Sequence, residues 1–355
     1  MQRPRSTPAG EHQPVLLGEV LAALSPQVGD VVVDCTLGYG GHAVELLKRV
    51  GPTGHLIGFD LDAGNLPSVR ERLEAIQEPL PRPLPEAERG EDSGLLSPSP
   101  LRGGVGEGFP VCHPFTLHHG NFAGLAKAIG EASPDGCDCL LADLGMSSMQ
   151  VDDADRGFSY MREGPLDMRM DQSRGRTAAE LLATLSAEEL AEAFREFGDE
   201  PEADKIAAAM VKARERLPIQ YTRELSKLIQ EAAPVRVNLH PLPGDPKPWQ
   251  QKFKPVARVF QALRILVNRE LANLQELLRV LPYCLKPGGR AAIISFHSGE
   301  DRLVKAAFKE GLRTGLYSEA SDEPIRASYE ERGTNPRSRS AKLRWARKSA
   351  QTVRP

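Results

Sequence analysis

Two rhythms of apolar residues alternate along the chain. Short apolar runs at Asp30 to Asp34 (DVVVD), His55 to Asp60 (HLIGFD), Cys137 to Asp143 (CDCLLAD) and Arg290 to Phe296 (RAAIISF) have the length and composition of buried strands. A further strand is expected near Phe115 to His119. Stretches with apolar positions three and four apart, beginning with Ala43 to Val50, predict helices between them. Strands alternating with helices imply an α/β fold with a mostly parallel sheet, whose ligands gather at the carboxyl ends of the strands.

From Thr177 to Ala233 the pattern is helical throughout and strand signals vanish, which predicts a helical subdomain. Ser186 with Glu189 three residues on has capping-box spacing, and Thr222 is a second expected helix start. A proline-rich stretch, Pro234 to Pro255, leads into a long helical pattern over Ala257 to Val280 that returns to the α/β part. Residues 78–112 break the pattern with seven prolines and six glycines, the composition of a disordered insertion. The resulting division is a first α/β part over 1–150, an inserted loop and helical substrate-recognition domain over 151–255, and a second α/β part over 256–355.

Composition alters this picture little. At 40% hydrophobic and 26% charged residues the chain is an ordinary globular sequence, and no apolar run approaches the roughly 20 residues of a membrane span. Met1 to Gln13 is not followed by a stretch of signal-peptide length, so the expectation is a cytoplasmic protein. The five cysteines form no CxxC pair, which argues against a zinc site, and no metal is expected. The net charge of -3 hides one asymmetry: Arg332 to Arg354 carries eight basic residues and no acid, equally readable as a solvated tail or an RNA contact.

Candidate chemistry clusters at the predicted strand ends. Gly38, Gly40 and Gly41 follow the first strand, where backbone without side chains can approach a ligand and aim N–H groups at it. Their spacing is not the GxGxxG of dinucleotide sites, which disfavours an NAD oxidoreductase. Asp60 ends the second strand, placed to accept hydrogen bonds from ribose hydroxyls. Asp143 ends another, within ADLGMSSMQ, where an acceptor could hold an amino group against a methyl donor or could cap the loop. The aperiodic segment 152–171 offers Phe158 and Tyr160 for stacking on a base and Arg162 and Arg169 for phosphates, or else packs its own side chains as an Ω-loop. His297 follows the last strand in ISFHSGEDR.

Taken together, HQPVLLGEV (12–20), GYGGH (38–42), GFDLD (58–62), GNF (120–122), ADLGMSSMQVDDADRGFSYMREGPLDMRM (142–170), VFQALRILVNREL (259–271), KPGGRAAIISFHSGEDR (286–302) and NPRSRSAKLR (335–344) resemble the bacterial ribosomal RNA small-subunit methyltransferase H (RsmH, MraW) family. The resemblance implies a class I (Rossmann-like) S-adenosylmethionine-dependent methyltransferase sheet with a helical domain inserted after the fourth strand. It implies methyl transfer to N4 of a decoding-centre cytidine of 16S rRNA in the small ribosomal subunit, with S-adenosyl-L-methionine as cofactor. By motif match, Gly40, Gly41, His42, Asp60, Phe122, Asp143 and Gln150 are expected cofactor contacts, and Asp143, His297 and His12 are expected on the substrate side. No membrane partner is expected, and the lack of an Asp/Asn-Pro-Pro-Tyr motif disfavours DNA; a homodimer is left open. The chain departs from the family's usual pattern at Cys35, Met149 and Gly299, and in FGDE at 197–200. An RNA-binding assembly factor that keeps the fold without the reaction is the alternative from another class.

Overall fold

The apolar runs are buried on both sides because the sheet they form is covered on both faces. A computed structural model describes residues 13–76, 115–239 and 246–350; the side chain of Ser148 and the expected insertion at 78–112 lie outside what is described. The strands are β1 (Val31–Asp34), β2 (His55–Asp60), β3 (Phe115–His119), β4 (Cys137–Asp143), β5 (Leu285–Ser295), β6 (Tyr317–Ala320) and β7 (Lys342–Lys348). They form one seven-stranded sheet in the order β3-β2-β1-β4-β5-β7-β6. The first five are parallel, while β7 runs antiparallel to both β5 and β6. This is the class I (Rossmann-like) α/β sheet that the resemblance implies.

One face is packed by helices Leu125–Ala132, Glu270–Cys284 and Ser298–Arg313, and the other by Leu17–Leu24, Gly41–Val50 and Leu66–Glu74. A third apolar cluster lies in the helical part, where Leu182, Leu190, Phe194, Ile206, Met210, Leu225 and Ile229 meet. Ser186 and Thr177 both close capping boxes, with Glu189 and Glu180. The helical pattern at 257–280 is two helices, not one. Lys254–Asn268 ends at Arg269, a non-glycine residue at φ 52°, and Glu270–Cys284 then starts in a new direction. Val256, Val259, Phe260 and Leu263 belong to the helical cluster, so that cluster continues beyond residue 255, whereas Leu274, Leu277 and Leu281 pack on the sheet.

The basic C-terminal stretch is neither a tail nor mainly surface. Its residues 342–348 are β7, inserted between β5 and β6, with Leu343 and Ala346 in the core. Arg344 is only 3% exposed and donates to Asp301 Oδ1 at 2.7 Å and to the Asp322 carbonyl at 2.8 Å. Lys342 reaches the other Asp301 oxygen at 2.9 Å. Among the described residues no helix is long and apolar enough to cross a membrane.

Removing one partner of a buried ion pair leaves an uncompensated charge. Asp301→Ala is therefore expected to destabilise the fold by about 3 kcal/mol, read from the midpoint of urea unfolding; a loss below about 1 kcal/mol, the scale of a surface pair, would mean that β7 is not held in this way.

Candidate active site

The sheet order reverses between β1 and β4, and the crevice above that point is walled by the loops that leave both strands. Registers Asp34↔Gly58 and Asp34↔Leu141 put Asp60 and Asp143, each two residues further on, at one level at the carboxyl ends of β2 and β4, with Asp34 at the end of β1 two residues below them. A cavity of about 490 Å³ opens there, lined by Gly38, Gly41, His42, Asp60, Phe122, Asp143 and Gln150 among others. The loop after β1 can enter because Gly58 has no side chain: a Cβ there would stand 2.6 Å from Leu37. Gly38 and Gly40 turn the chain at φ 51° and 75°, a region costly for other residues, and Gly40 precedes helix Gly41–Val50.

Asp60 is already engaged. Its oxygens accept from Gly38 N at 2.7 Å, Asp62 N at 2.7 Å and the Asn65 amide at 3.3 Å. Burial nevertheless raises its carboxyl to about 6 against those bonds, with Asp62 adding a smaller repulsion. Asp34, deeper still, accepts from Thr36 N at 2.9 Å through one oxygen and has no partner for the other. Burial, with Asp60 nearby, lifts it to about 7.

Asp143 is the most perturbed of the three. Its backbone N–H is fixed by Thr36 Oγ1 at 2.7 Å, but its Oδ1 is buried without a hydrogen bond. Burial first, then the charges of Asp34 and Glu300, raise its carboxyl to about 8, while Arg337 pulls it down. His42 stands 3.7 Å from the other oxygen. Its Nε2 lies 3.0 Å from the Val15 carbonyl, which can only accept, so Nε2 carries the proton. Burial keeps this imidazole neutral, down to about 4, and leaves Nδ1 as a bare acceptor toward Asp143. Two acceptors face each other without penalty only if the Asp143 carboxyl keeps its proton.

The wall opposite comes from the junction of the helical part and the sheet. Arg264 grips Glu270 with two bonds of 2.8 and 2.9 Å. Asn268 ties this junction to the long loop, accepting from Met170 N at 2.7 Å and donating to the Met168 carbonyl at 2.8 Å. Glu300, 2% exposed, accepts from Phe296 N at 2.8 Å and faces His297 Nε2 at 3.1 Å. Burial would raise the Glu300 carboxyl, but His297, the Phe296 amide and Arg264 outweigh it and hold it below the usual range. Arg337, from the 3-10 turn Pro336–Arg339, closes the wall.

The sequence profile of the MraW methylase family matches residues 9–81 and 109–349. The chain belongs to that family. It is 40% identical over 345 residues to ribosomal RNA small subunit methyltransferase H 2 of Alkaliphilus metalliredigens, covering 97% of this chain and 87% of that protein. Proteins named ribosomal RNA small subunit methyltransferase H from Geobacter sp. strain M21 and Koribacter versatilis are 40% and 39% identical, over 95% and 96% of this chain and 98% and 97% of theirs.

Most of the residues expected from the MraW resemblance do line the cavity: Gly41, His42, Asp60, Phe122, Asp143 and Gln150. Gly40 does not; it shapes the turn behind them. Gln150 holds the loop, accepting from Ser147 N at 3.0 Å and donating to Asp62 at 3.1 Å. His297 is not on the cavity wall either; it braces Glu300, which is. Gly299 leaves room for that ring, since a Cβ would come within 3.1 Å of His297 Nδ1. His12 lies outside the described residues.

The proposed RNA loop needs the larger correction. Phe158 is 5% exposed beneath Arg156, and Tyr160 stacks on Phe253 at 5.8 Å, so both rings serve the helical core and offer no free face. Arg169 is chelated by Asp167 at 2.7 and 2.9 Å, and Arg162 pairs with Asp152 at 2.9 Å. The segment is the self-packed loop that was its alternative reading. Arg264, Asn268, Glu270, Glu300 and Arg337 escaped notice although all lie in the matching stretches. The four-residue spacing of Arg264 and Asn268 on one helix face was the available signal.

A carboxyl that ionises near 3.8 when unfolded and near 8 when folded binds an extra proton in the native state across that interval. Its contribution to stability therefore falls as pH rises from about 4 to about 8 and is constant above. Asp143→Asn removes the ionisation; its unfolding midpoint in urea is expected to exceed that of the parent at pH 8 and to decline less between pH 5 and 8. Parallel curves for the two proteins would show that Asp143 is not held protonated.

Proposed function

We propose that this protein is an S-adenosylmethionine-dependent methyltransferase acting on 16S rRNA in the small ribosomal subunit, with N4 of a decoding-centre cytidine as its acceptor. One observation carries the reading. A buried carboxyl with an unbonded oxygen, Asp143, faces a cavity beside a glycine loop, in a chain about 40% identical to small-subunit rRNA methyltransferases over nearly its whole length. The cavity falls within the ~300 to 1,000 Å³ range of small-molecule sites. Its residues suit the cofactor: Asp60 as acceptor for ribose hydroxyls, Leu37 and Phe122 as apolar surface, and a surplus of carboxylates for a cation.

S-adenosylmethionine supplies an electrophilic methyl group on a positively charged sulfur. The chain's contribution is orientation and proton handling. A cytosine amino group is a poor nucleophile because its lone pair is delocalised into the ring. Asp143, ionised by the neighbouring cation, accepts one amino N–H and turns the nitrogen so that its lone pair points at the methyl carbon. When bound, the cofactor's sulfur would keep the electron pair of the broken C–S bond, and the proton that the methylated nitrogen loses would pass to the Asp143 carboxylate, a group on the cavity wall whose pKa of about 8 suits receiving it. The bare Nδ1 of His42 offers Asp143 a second acceptor position and so helps fix which oxygen holds the proton.

The deciding measurement is transfer from radiolabelled S-adenosylmethionine to small subunits lacking the modification, followed by nucleoside analysis. Label in N4-methylcytidine is expected; label in another nucleoside would overturn the acceptor, and cofactor binding without any transfer would favour an RNA-binding assembly factor. Asp60→Ala is expected to weaken cofactor binding by about 1 to 3 kcal/mol in calorimetry, and an unchanged affinity would remove Asp60 from the site. Affinity for the cationic cofactor is also expected to rise with pH up to about 8, because below that value Asp143 must lose a proton to serve as counter-charge. The neutral thioether product should show no such rise.

A further inference from the structure

Arg337 is a cation on the cavity wall without a partner among the described residues. Arg264, the other arginine there, is locked in a two-bond grip on Glu270. For the Arg337 guanidinium the described residues show no hydrogen bond and no ion pair within 4.0 Å. Its electrostatic neighbours are Asp143, Asp152 and Tyr39. The backbone beneath it is fixed from both sides. Asn335 donates to the Gln13 carbonyl at 3.2 Å, and buried Ser338 donates to the Asn335 carbonyl at 2.8 Å. Arg339, by contrast, bonds the Arg332 carbonyl at 3.0 Å on the exposed side. The turn Pro336–Arg339 thus separates its two arginines, one to the outer surface and one to the cavity.

We infer that Arg337 is an RNA-positioning residue, whose guanidinium holds a phosphate oxygen of the nucleotide entering the cavity and so sets its base against Asp143. This rests on the methyltransferase reading above. The chemistry favours an oxyanion because a guanidinium offers several coplanar donors and no acceptor. RNA phosphate is favoured over the cofactor's carboxylate by position. Arg337 is exposed as well as cavity-lining, so it stands at the mouth, where a guanidinium can meet a backbone phosphate while the base lies deeper.

The test separates binding from chemistry. Arg337→Gln and Arg337→Lys would be compared with the parent for S-adenosylmethionine affinity by calorimetry and for small-subunit affinity by filter binding across a salt series. Arg337→Gln is expected to weaken subunit binding by on the order of ten-fold, to flatten the log–log salt dependence by about one unit, and to change cofactor affinity by less than that, because Arg337 acts on the cofactor only through the Asp143 carboxyl. Arg337→Lys should recover the salt slope, because the charge remains, but only part of the methyl-transfer rate, because the planar fork is lost. Unchanged subunit affinity and slope would overturn the inference, as would a loss of cofactor affinity as large as the loss of subunit affinity, which would give the guanidinium to the cofactor's carboxylate. Since subunit binding is read without turnover, an enzyme inactive on cytidine would count against the proposed function and leave this comparison standing.

Discussion

Three largely buried carboxylates end adjacent strands of one sheet, and the rest of the site is organised around making that tolerable. Burying an ionised carboxylate is costly, and placing like charges nearby adds to the cost. The three residues meet it in different ways. Asp60 is surrounded by N–H donors and becomes part of the glycine loop's own support. Asp34 is half-satisfied by the Thr36 backbone, and Asp143 has almost nothing. Affinity for a proton therefore rises stepwise from Asp60 through Asp34 to Asp143, and the least supported of the three lines the cavity. A cation arriving there would relieve an unfavourable arrangement already present, so these carboxyls favour positive charge before any shape is matched.

The same tension explains why the site needs walls from distant parts of the chain. The switch in strand order at β1 and β4 opens the crevice, but the parallel strands supply only its floor. One wall is the junction at Arg269, where a helix of the helical cluster gives way to one packed on the sheet. Arg264, Asn268 and Glu270 stand at that junction, so the two apolar cores meet across the residues that line the cavity. Met168 and Met170 of the long loop are tied to Asn268, so that loop is part of the joint.

Strands β1, β2 and β4 were legible in the sequence because a strand buried on both faces must be apolar nearly throughout. The helical insertion was legible from its caps. β7 was not, because Lys342, Arg344, Arg347 and Lys348 mask the two positions, Leu343 and Ala346, that enter the core. Asp301, some forty residues earlier, and the Asp322 carbonyl make a buried arginine acceptable in an interior strand, and no local pattern reports partners that far away. The site shows the same division. Glycines and strand-end acids declare themselves by position, whereas Glu300 and Arg337 acquire meaning only when the fold brings them to Asp143. Phe158 and Tyr160 erred in the opposite sense: aromatic residues among charges look like a binding surface, yet here the arginines beside them pair with loop acids and the rings turn inward.

This arrangement joins stability to function along one piece of chain. Pro336–Arg339 immediately precedes β7, and β7 is held between β5 and β6. Asp301, which anchors Arg344 of β7, follows Glu300 on the same helix, and Glu300 lines the cavity. The acid that fixes the last strand and the acid that faces the ligand are thus neighbours on one rigid element. Rotation of that helix sufficient to displace Glu300 would strain the Asp301–Arg344 bond and move the turn that presents Arg337. Charge at the cavity wall is consequently set by sheet assembly, so the arginine facing Asp143 is in position only when the C-terminal strand has paired.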